Sequence, residues 1–443
     1  MTINQFSGSI PDSITQMALS LNFSVVEKAR RENMLLNKNF YYGKQEEQLT
    51  LVNEDVIPTI LNLTQPIVKK RSTLLYRKPI KRTIEGPDAS INYLELVYSD
   101  NNIDSLMLAA DLSAELTGTS LFLLHPDVMM DGGIRISLYD SSQFSVISNQ
   151  DRNQEADAIS LVRVVNRFAA RSTPNNPQVE TVLEQQIWTN SYISTFNTHN
   201  QGHSLELNVT NDLGFIPYVA LRGEPVHDEF LGHAPTTDLR KLNQSINQAL
   251  TDLTYAIKMQ GATPIAIAGF ESGEGITVHP GRAFSLPAGA SATVLDMKPK
   301  IEAMLKVIEF LEVKAFETNN VPKVAVVGGE GASGRELMIR FFPLLQVFQD
   351  KAIQFKKGEL DLANMVLKVA GLDPIVSISL DYPEESILPL SSEDESLLLD
   401  ISLGLKTPMD ELMRRNPDID EVEAEAQIRA NKEFNAQIGQ PII

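Results

Sequence analysis

The segment Asp238-Leu-Arg-Lys-Leu-Asn-Gln-Ser-Ile-Asn-Gln-Ala-Leu250 opens the stretch whose reading decides the architecture. From there to Arg335 run two long helical patterns, a glycine- and proline-rich insert between them, a short apolar run and a glycine turn. In Asp238–Gln260 the residues Leu239, Leu242, Ile246, Leu250, Leu253 and Ile257 recur every three or four positions, which lines one face of an α-helix. Thr237 is the expected N-cap, and Asp238 suits the positive helix start. Gly261, with Pro264 beyond it, ends the pattern. Roughly 23 residues at about 1.5 Å each make a rod of about 35 Å.

The second pattern, Lys298–Asn319, is apolar around most of its circumference: Ile301, Met304, Leu305, Val307, Ile308, Phe310, Leu311, Val313 and Phe316. One narrow stripe is charged with alternating sign, through Lys298, Glu302, Lys306, Glu309 and Glu312. A helix apolar over so wide an arc must be covered on more than one side. A single large core and a ring of neighbouring copies both satisfy that demand. Between the helices, Thr263–Phe270, Gly275–His279 and Ser291–Leu295 read as short strands set apart by glycines, Pro280 and Pro287, a sub-domain of about 35 residues.

After the second helix come Val324–Val327 and then Gly328-Gly-Glu-Gly-Ala-Ser-Gly-Arg335. Gly329–Gly334 matches G-x-G-x-x-G, whose backbone N–H groups can cradle a phosphate at a helix N-terminus. The match to a P-loop is poor, because Arg335 stands in the lysine position and Glu336 in that of the magnesium-binding hydroxyl. The dinucleotide reading needs a βαβ unit of about 30 residues. A helical pattern instead runs from Arg335 through Leu337, Phe341, Leu344, Leu345, Phe348 and Ile353. The turn therefore reads as a small-residue loop joining two helices, and a nucleotide-binding enzyme is the competing reading.

The chain has 443 residues, 43% hydrophobic and 21% charged, room for about three domains with a real core. It has no cysteine, which excludes disulfides, Cys-ligated zinc and thiol catalysis. Met1-Thr-Ile-Asn-Gln5 carries no basic region ahead of an apolar core, so no signal peptide is expected, and no apolar run reaches membrane-span length. A net charge of −19 argues against tight nucleic-acid binding but not against a surface past which DNA slides.

Ser13–Asn39 and Glu54–Tyr76 read as helices, the second kinked at Pro66 and ending in the basic group Lys69, Lys70, Arg71, Arg77, Lys78, Lys81 and Arg82. That group reads as solvated helix faces and a loop, with a polyanion site as the less favoured alternative. Asp104–Leu116 is a further helix ending near Gly118. Then Thr119–His125, Ile134–Asp140, Phe144–Ser148, Ser160–Phe168, Val179–Thr189, Tyr192–Asn197, Ser204–Val209 and Ile216–Ala220 read as strands of an antiparallel meander, giving an α+β body. Ser391–Ile443 carries twelve Asp/Glu against five Lys/Arg, net −7, and still reads as helical: Ser392 and Glu395 form a capping box and Thr407-Pro408 starts a helix.

No catalytic constellation stands out. His199 and His203 have i, i+4 spacing, but Asn200-Gln-Gly202 between them reads as a turn. His227 and His233 flank Asp228 and Glu229 without a metal-ligand pattern, and Ser333 lacks the spacing of a nucleophile elbow. No cofactor or metal is expected.

The order of parts resembles the portal proteins of tailed double-stranded DNA bacteriophages, of the siphovirus type. The resemblance rests on Tyr41-Tyr-Gly43, on Asn62–Tyr76 followed by Arg77-Lys-Pro79, and on Ala109-Ala-Asp111 with Leu116-Thr-Gly-Thr-Ser-Leu-Phe122. Gly132-Gly-Ile-Arg-Ile136, Leu213–Ala220 and the first long helix extend it, as do Ser333-Gly-Arg-Glu-Leu337 with Pro343-Leu-Leu345 and the segment from Gly404 to Glu425. It implies a portal fold: wing 1–235, stem helix 236–262, clip 263–297, stem helix 298–319, tunnel-loop region 320–335, wing again 336–390 with a long tunnel helix and following strands, and a short helical crown 391–443. It implies a non-enzymatic ring of about twelve copies at one capsid vertex. The loop Gly328, Gly329, Glu330, Gly331, Ala332, Ser333, Gly334 and Arg335 would face DNA. Lys298, Lys300, Glu302, Lys306 and Glu309 would face the channel. Phe270, Glu271, Glu274, His279 and Arg282 of the clip would meet partners. Those partners would be the terminase large subunit during packaging and head–tail connector proteins afterwards, with the major capsid protein and any scaffold protein at the body. The location would be the virion, after assembly in the host cytoplasm, with sequence-independent passage of duplex DNA and no membrane. Another head–tail connector protein is a third reading, which the length and the helix–insert–helix order disfavour.

Overall fold

The computed structural model describes residues 6–7, 13–21, 24–51, 56–149, 151–168, 179–199, 202–261, 265–268, 291–294, 298–323 and 334–382, with single helical positions at 409, 412–413 and 425. The chain begins with β1 (Phe6–Ser7), α1 (Ser13–Leu21) and α2 (Val25–Tyr41). The single helix expected over Ser13–Asn39 is thus two. Ser24 is extended at φ −63°, ψ 148°, and its hydroxyl accepts the Glu27 N–H at 3.2 Å, so a fresh helix starts there.

The expected helix Glu54–Tyr76 is also corrected. Only α3 (Thr64–Ser72) is helical, and Pro66 lies in its first turn, where its missing N–H breaks no helical bond. Residues 56–63 belong to no helix or strand, and α6 supplies their hydrogen-bond partners, as described below. After α3 come β2 (Lys81–Glu85) and α4 (Asp88–Asp100), both absent from the expected elements, and α5 (Ile103–Thr117), which matches its expected span closely.

The strands follow: β3 (Thr119–Pro126), β4 (Ile134–Asp140), β5 (Phe144–Ser148), β6 (Ala156–Phe168), β7 (Val179–Thr189), β8 (Tyr192–His199), β9 (Gly202–Thr210) and β10 (Tyr218–Arg222). They form two sheets. One is six-stranded in the order β1-β9-β8-β7-β6-β5, an antiparallel meander extended by β1 lying parallel to β9. The other, β10-β3-β4, is antiparallel. Period-2 alternation on β6 decides what each face of the larger sheet meets. Ile159 and Leu161 join Phe144 and Trp188 against Leu121 and Leu123 of β3. Ala158, with Ile187 and Phe196, packs on Ala18 and Leu19 of α1.

The remaining elements are α6 (Thr236–Gly261), β11 (Ile265–Ala268), β12 (Ser291–Val294), α7 (Lys298–Thr318), α8 (Gly334–Ala370) and β13 (Ser377–Asp381). Thr236, not Thr237, opens α6, and its hydroxyl donates to the Glu115 carbonyl at 2.7 Å. β11 and β12 pair antiparallel, and β13 pairs antiparallel with β2. The expected strand Gly275–His279 and the capping signals of Ser391–Ile443 lie outside the described residues. One unit of the chain takes in Met1–Val324 and Pro343–Pro383, and a second takes in Ala325–Phe342 and Glu384–Ile443. The side-chain contacts described below belong to the first, whereas residues 334–342 at the start of α8 fall in the second.

Gly118 closes α5 at φ +82°, where a side chain is strained, and a Cβ there would sit 2.3 Å from the Gly232 carbonyl oxygen. Backbone cannot swing away as a side-chain tip can. Gly118→Ala is expected to destabilise the fold by about 2–4 kcal/mol, read as a lowered urea midpoint with unchanged slope.

Candidate functional site

The first long helix works through a polar stripe as well as an apolar one. Asn243, Asn247 and Thr251 stand at i, i+4 spacing and face the extended segment 56–64. The Asn243 Oδ1 accepts the Leu63 and Thr64 N–H groups, each at 3.0 Å, and its Nδ2 donates to the Leu61 carbonyl at 2.8 Å. The Asn247 Oδ1 accepts the Leu61 N–H at 2.9 Å, and the Thr251 hydroxyl accepts the Thr59 N–H at 3.0 Å. One position round the helix, Gln248 brackets Thr50, accepting its N–H and donating to its carbonyl, both at 2.9 Å. An irregular strap must satisfy its backbone somewhere. Here the amides of α6 take the place of a neighbouring strand.

α7 runs back beside α6 and keeps only part of its apolar arc covered. Ile308 and Ala315 are buried. Leu305, Val307, Phe310 and Val313 are exposed, Phe310 at 59% and Val307 at 53%. Glu302, Lys306 and Glu309 are exposed as well. The charged stripe and the bare apolar face thus occupy one helix of one chain. Lys298 and Lys300 fall within α7, but their side chains lie outside the described residues, as does that of Arg335 beside Gly334 at the start of α8. Residues 328–333 of the glycine turn and Phe270, Glu271, Glu274, His279 and Arg282 lie outside them altogether. Beyond the turn, α8 continues unbroken for 37 residues, and the next strand, β13, pairs antiparallel with β2. That is not the parallel βαβ unit a dinucleotide loop requires.

Among the described residues no group of histidine and carboxylate side chains has the arrangement to hold a metal. His199 ends β8 and His203 lies in β9, paired with Thr198 across the hairpin, so their i, i+4 spacing is not helical. His227 lies 3.3 Å from Asp228, both on the surface, while His233 Nδ1 lies 3.2 Å from Glu224 Oε2.

A second group of charges was not expected from the sequence. Arg71 on α3, Asp111 and Glu115 on α5 and Lys351 on α8 meet in the interior. Arg71 Nε donates to Glu115 Oε2 at 3.0 Å, and Arg71 Nη1 donates to the Asn319 carbonyl, just past α7, at 2.9 Å. Lys351 Nζ donates to Asp111 Oδ1 at 2.6 Å and to the Arg71 carbonyl at 3.0 Å, and lies 2.7 Å from Glu115 Oε1. Farther along α8, the fully buried Glu359 takes Arg82 Nε at 2.8 Å, Arg82 Nη2 at 3.0 Å and the Tyr76 hydroxyl at 2.8 Å. A cavity of 690 Å³ opens beside the first cluster, lined in part by Arg71, Glu224, His233, Lys241 and Lys351. Both signs line it, so it offers no selective field for a charged ligand. The signal in the sequence is register. Lys351 falls in the apolar series Leu344, Phe348, Phe355, and Arg71 in the series Ile67, Val68, Leu75, where a charge needs a buried partner.

The family described as "Phage portal protein, SPP1 Gp6-like" matches residues 25–437. No curated protein matches the chain. Similar solved structures include a chain of the "Virion of native gene transfer agent (GTA) particle", at 12% identity and TM-score 0.41, covering 86% of this chain and 92% of that one. A chain of the "Neck of empty GTA particle computed with C6 symmetry" is similar at 13% identity and TM-score 0.40, with 86% and 91% covered. A chain of the "Neck of native GTA particle computed with C12 symmetry" is similar at 12% identity and TM-score 0.38, with 86% and 89% covered.

Burial pushes the Asp111 carboxyl up to about 7, against the pull of Lys351. Its Oδ2 is buried without a hydrogen-bond partner. Burial would also raise Glu115, but Lys351 and Arg71 outweigh it and hold that carboxyl below its usual value. Between its unfolded value of 3.8 and about 7, the folded chain holds a proton on Asp111 that the unfolded chain has released. The Asp111 contribution to stability therefore declines as pH rises through that window. Glu115 works the other way, with its contribution lost only as pH falls below 4.5, the ordinary value. Asp111→Asn, which keeps a neutral side chain at every pH, is expected to flatten the decline between pH 4 and 7, measured by urea unfolding across that range.

Proposed function

The chain belongs to the SPP1 Gp6-like family of phage portal proteins, and from that premise we propose that it assembles, head to tail with copies of itself, into a DNA-conducting ring of about twelve subunits. The observation that carries the proposal is the bare apolar face of α7. Leu305, Val307, Phe310 and Val313 are exposed on a 21-residue helix, on a wide arc that they share with Glu302, Lys306 and Glu309. Exposed apolar patches of this kind mark contact surfaces. A head-to-tail ring needs two different faces on each copy that complement one another, and this helix supplies one of them.

In this reading the segments 1–235 and 336–390 form the wing, and the helix pair 236–262 and 298–319 the stem. Residues 263–297 form the clip, 320–335 the tunnel-loop region and 391–443 the crown. The turn Gly328–Arg335 faces DNA. The charged stripe of α7 faces the channel, where Lys298, Lys300 and Lys306 make transient phosphate contacts among Glu302 and Glu309. The clip, through Phe270, Glu271, Glu274, His279 and Arg282, meets the terminase during packaging and connector proteins afterwards. The body meets the major capsid protein and any scaffold protein. The ring then occupies one vertex of the virion capsid after assembly in the host cytoplasm, and serves packaging and ejection without chemistry of its own. A net charge of −19 on each copy suits passage without sticking, since a broad attraction to phosphate is absent.

Native mass by mass photometry, with negative-stain images of the same sample, tests the reading. The expected result is a particle of about twelve protomers with a central hole. A monomer at every protein concentration tried would sink it. The double variant Val307→Glu/Phe310→Glu is expected to shift the mass to single chains while leaving the far-UV circular dichroism unchanged. Each glutamate loses about 1.5–3 kcal/mol of side-chain burial at the interface and adds a repelling charge.

A further inference from the structure

The end of α3 and the turn into β2 carry Lys69, Lys70, Arg71, Arg77, Lys78, Lys81 and Arg82, with no acidic residue from 69 to 82, in a chain of net charge −19. The fold sorts these cations into two kinds. Arg71 and Arg82 point inward to Glu115 and Glu359. Lys69, Arg77, Lys78 and Lys81 are exposed and ion-pair with no carboxylate among the described residues, while Lys70 is half-buried. Lys81 lies across from Asp381 in the β2–β13 register, which offsets its charge in part.

Two features set the remaining cations apart from an ordinary solvated face. The turn is pinned: Leu74, Leu75, Tyr76 and Ile80 are buried on either side of Arg77-Lys-Pro79, so the basic pair is held outward on an anchored loop with its following φ fixed by proline. The charges also act on one another. Burial, and next the Arg77 charge, lower Lys70, which joins the end of α3 and the turn in one local field. Lys69 and Lys70 alone could be explained as complements to the negative end of a helix dipole, in whose last turn they sit. Arg77 and Lys78 lie beyond the helix and have no such role.

We propose that the α3–β2 corner, through Lys69, Lys70, Arg77 and Lys78, is a sequence-independent contact for the phosphate backbone of duplex DNA. A duplex presents one charge per about 1.7 Å of its axis, so neighbouring outward cations can engage neighbouring phosphates. The overall charge does not forbid this, because at physiological salt a field reaches only about 8 Å and the local sign decides. The contact is weak, as a surface beside moving DNA must be. The inference rests on the reading of the chain as a DNA-conducting ring, and adds a contact outside the stem and tunnel loop.

The test titrates the full-length protein, at a ring mass confirmed in the same buffer, into a short fluorescein-labelled duplex at several salt concentrations, read by anisotropy. The wild type is expected to bind with an affinity that falls steeply with salt. The triple variant Lys69→Gln/Arg77→Gln/Lys78→Gln is expected to bind at least about tenfold more weakly at the lowest salt and to lose about 3 from the log–log salt slope, about 0.9 for each phosphate contact removed. The charge-keeping triple Lys69→Arg/Arg77→Lys/Lys78→Arg is expected to bind as wild type, which separates charge from folding. Equal affinity and slope in the neutral triple overturn the proposal, as does a wild type that leaves the duplex unbound at low salt while forming rings. Binding of labelled poly-glutamate in place of the duplex, lost in the neutral triple, overturns it too and assigns the corner to an acidic protein surface. Failure to form rings at all counts against the function reading and not against the corner, whose salt slope can be read on any oligomer.

Discussion

The Arg71–Glu115–Lys351–Asp111 cluster is the constraint on which the rest of the first unit depends. It ties three helices that share no continuous chain: α3, α5 and α8. Arg71 also holds the Asn319 carbonyl, so the exit of α7 is fixed by the same guanidinium. Arg71 is 7% exposed and Lys351 6%, so neither charge can retreat to water if its partners leave. Such a cluster adds little net stability over a well-packed apolar core, because desolvation offsets most of the attraction. Its effect is specificity. An apolar seam would let α8 slide by a residue or rotate, whereas two cations and two carboxylates fit in one arrangement. Glu359, held by Arg82 and Tyr76 two turns along, fixes the same helix at a second point.

α6 solves a different problem with neutral groups. The strap before α3 has neither helix nor sheet to satisfy its backbone. Asn243, Asn247, Gln248 and Thr251 supply the missing partners, and each such bond contributes roughly 1 kcal/mol net. The adjacent flank of α6 keeps its apolar stripe, with Leu239, Ile246 and Leu253 buried. The helix therefore has two bound faces in one chain, which leaves α7 as the member of the pair with surface to spare.

How far the sequence could be read follows from which signals are local. The α6 and α7 spans, α5 and the strands β3 to β10 were legible to within a few residues, because their periodicity and turn residues lie within each element. The break between α1 and α2 turns on one serine cap inside a continuous helical pattern, so pattern alone ran through it. α4 had its signal, with Pro87-Asp88 opening the series Ile91, Leu94, Val97 and Tyr98, and it went unread. The strap before α3 could not be read locally at all. Its sequence tolerates a helix, and the partners that hold it straight lie far along the chain on α6. The division of the meander into two sheets is the same case, since β3 pairs with β10 only after the larger sheet has been completed between them. For the site, Glu302, Lys306 and Glu309 are exposed on the single chain, and the exposure of Leu305, Val307, Phe310 and Val313 was legible only as an arc too wide for one neighbour.

The charge of the chain sets its two proposed surfaces against each other in salt. Copies of net charge −19 repel, so the α7 interface must overcome a long-range field before apolar contact begins. Screening shortens that field from about 30 Å at 0.01 M to about 8 Å near 0.15 M, while the burial of Val307 and Phe310 hardly depends on it. Ring formation should therefore strengthen as salt rises through that range, measured as the fraction of protein at the ring mass. The basic corner depends on counterion release and should weaken over the same range. One set of samples can follow both. If ring mass and duplex binding rose and fell together with salt, a single electrostatic interface would have to account for both, and the apolar face of α7 would lose its role.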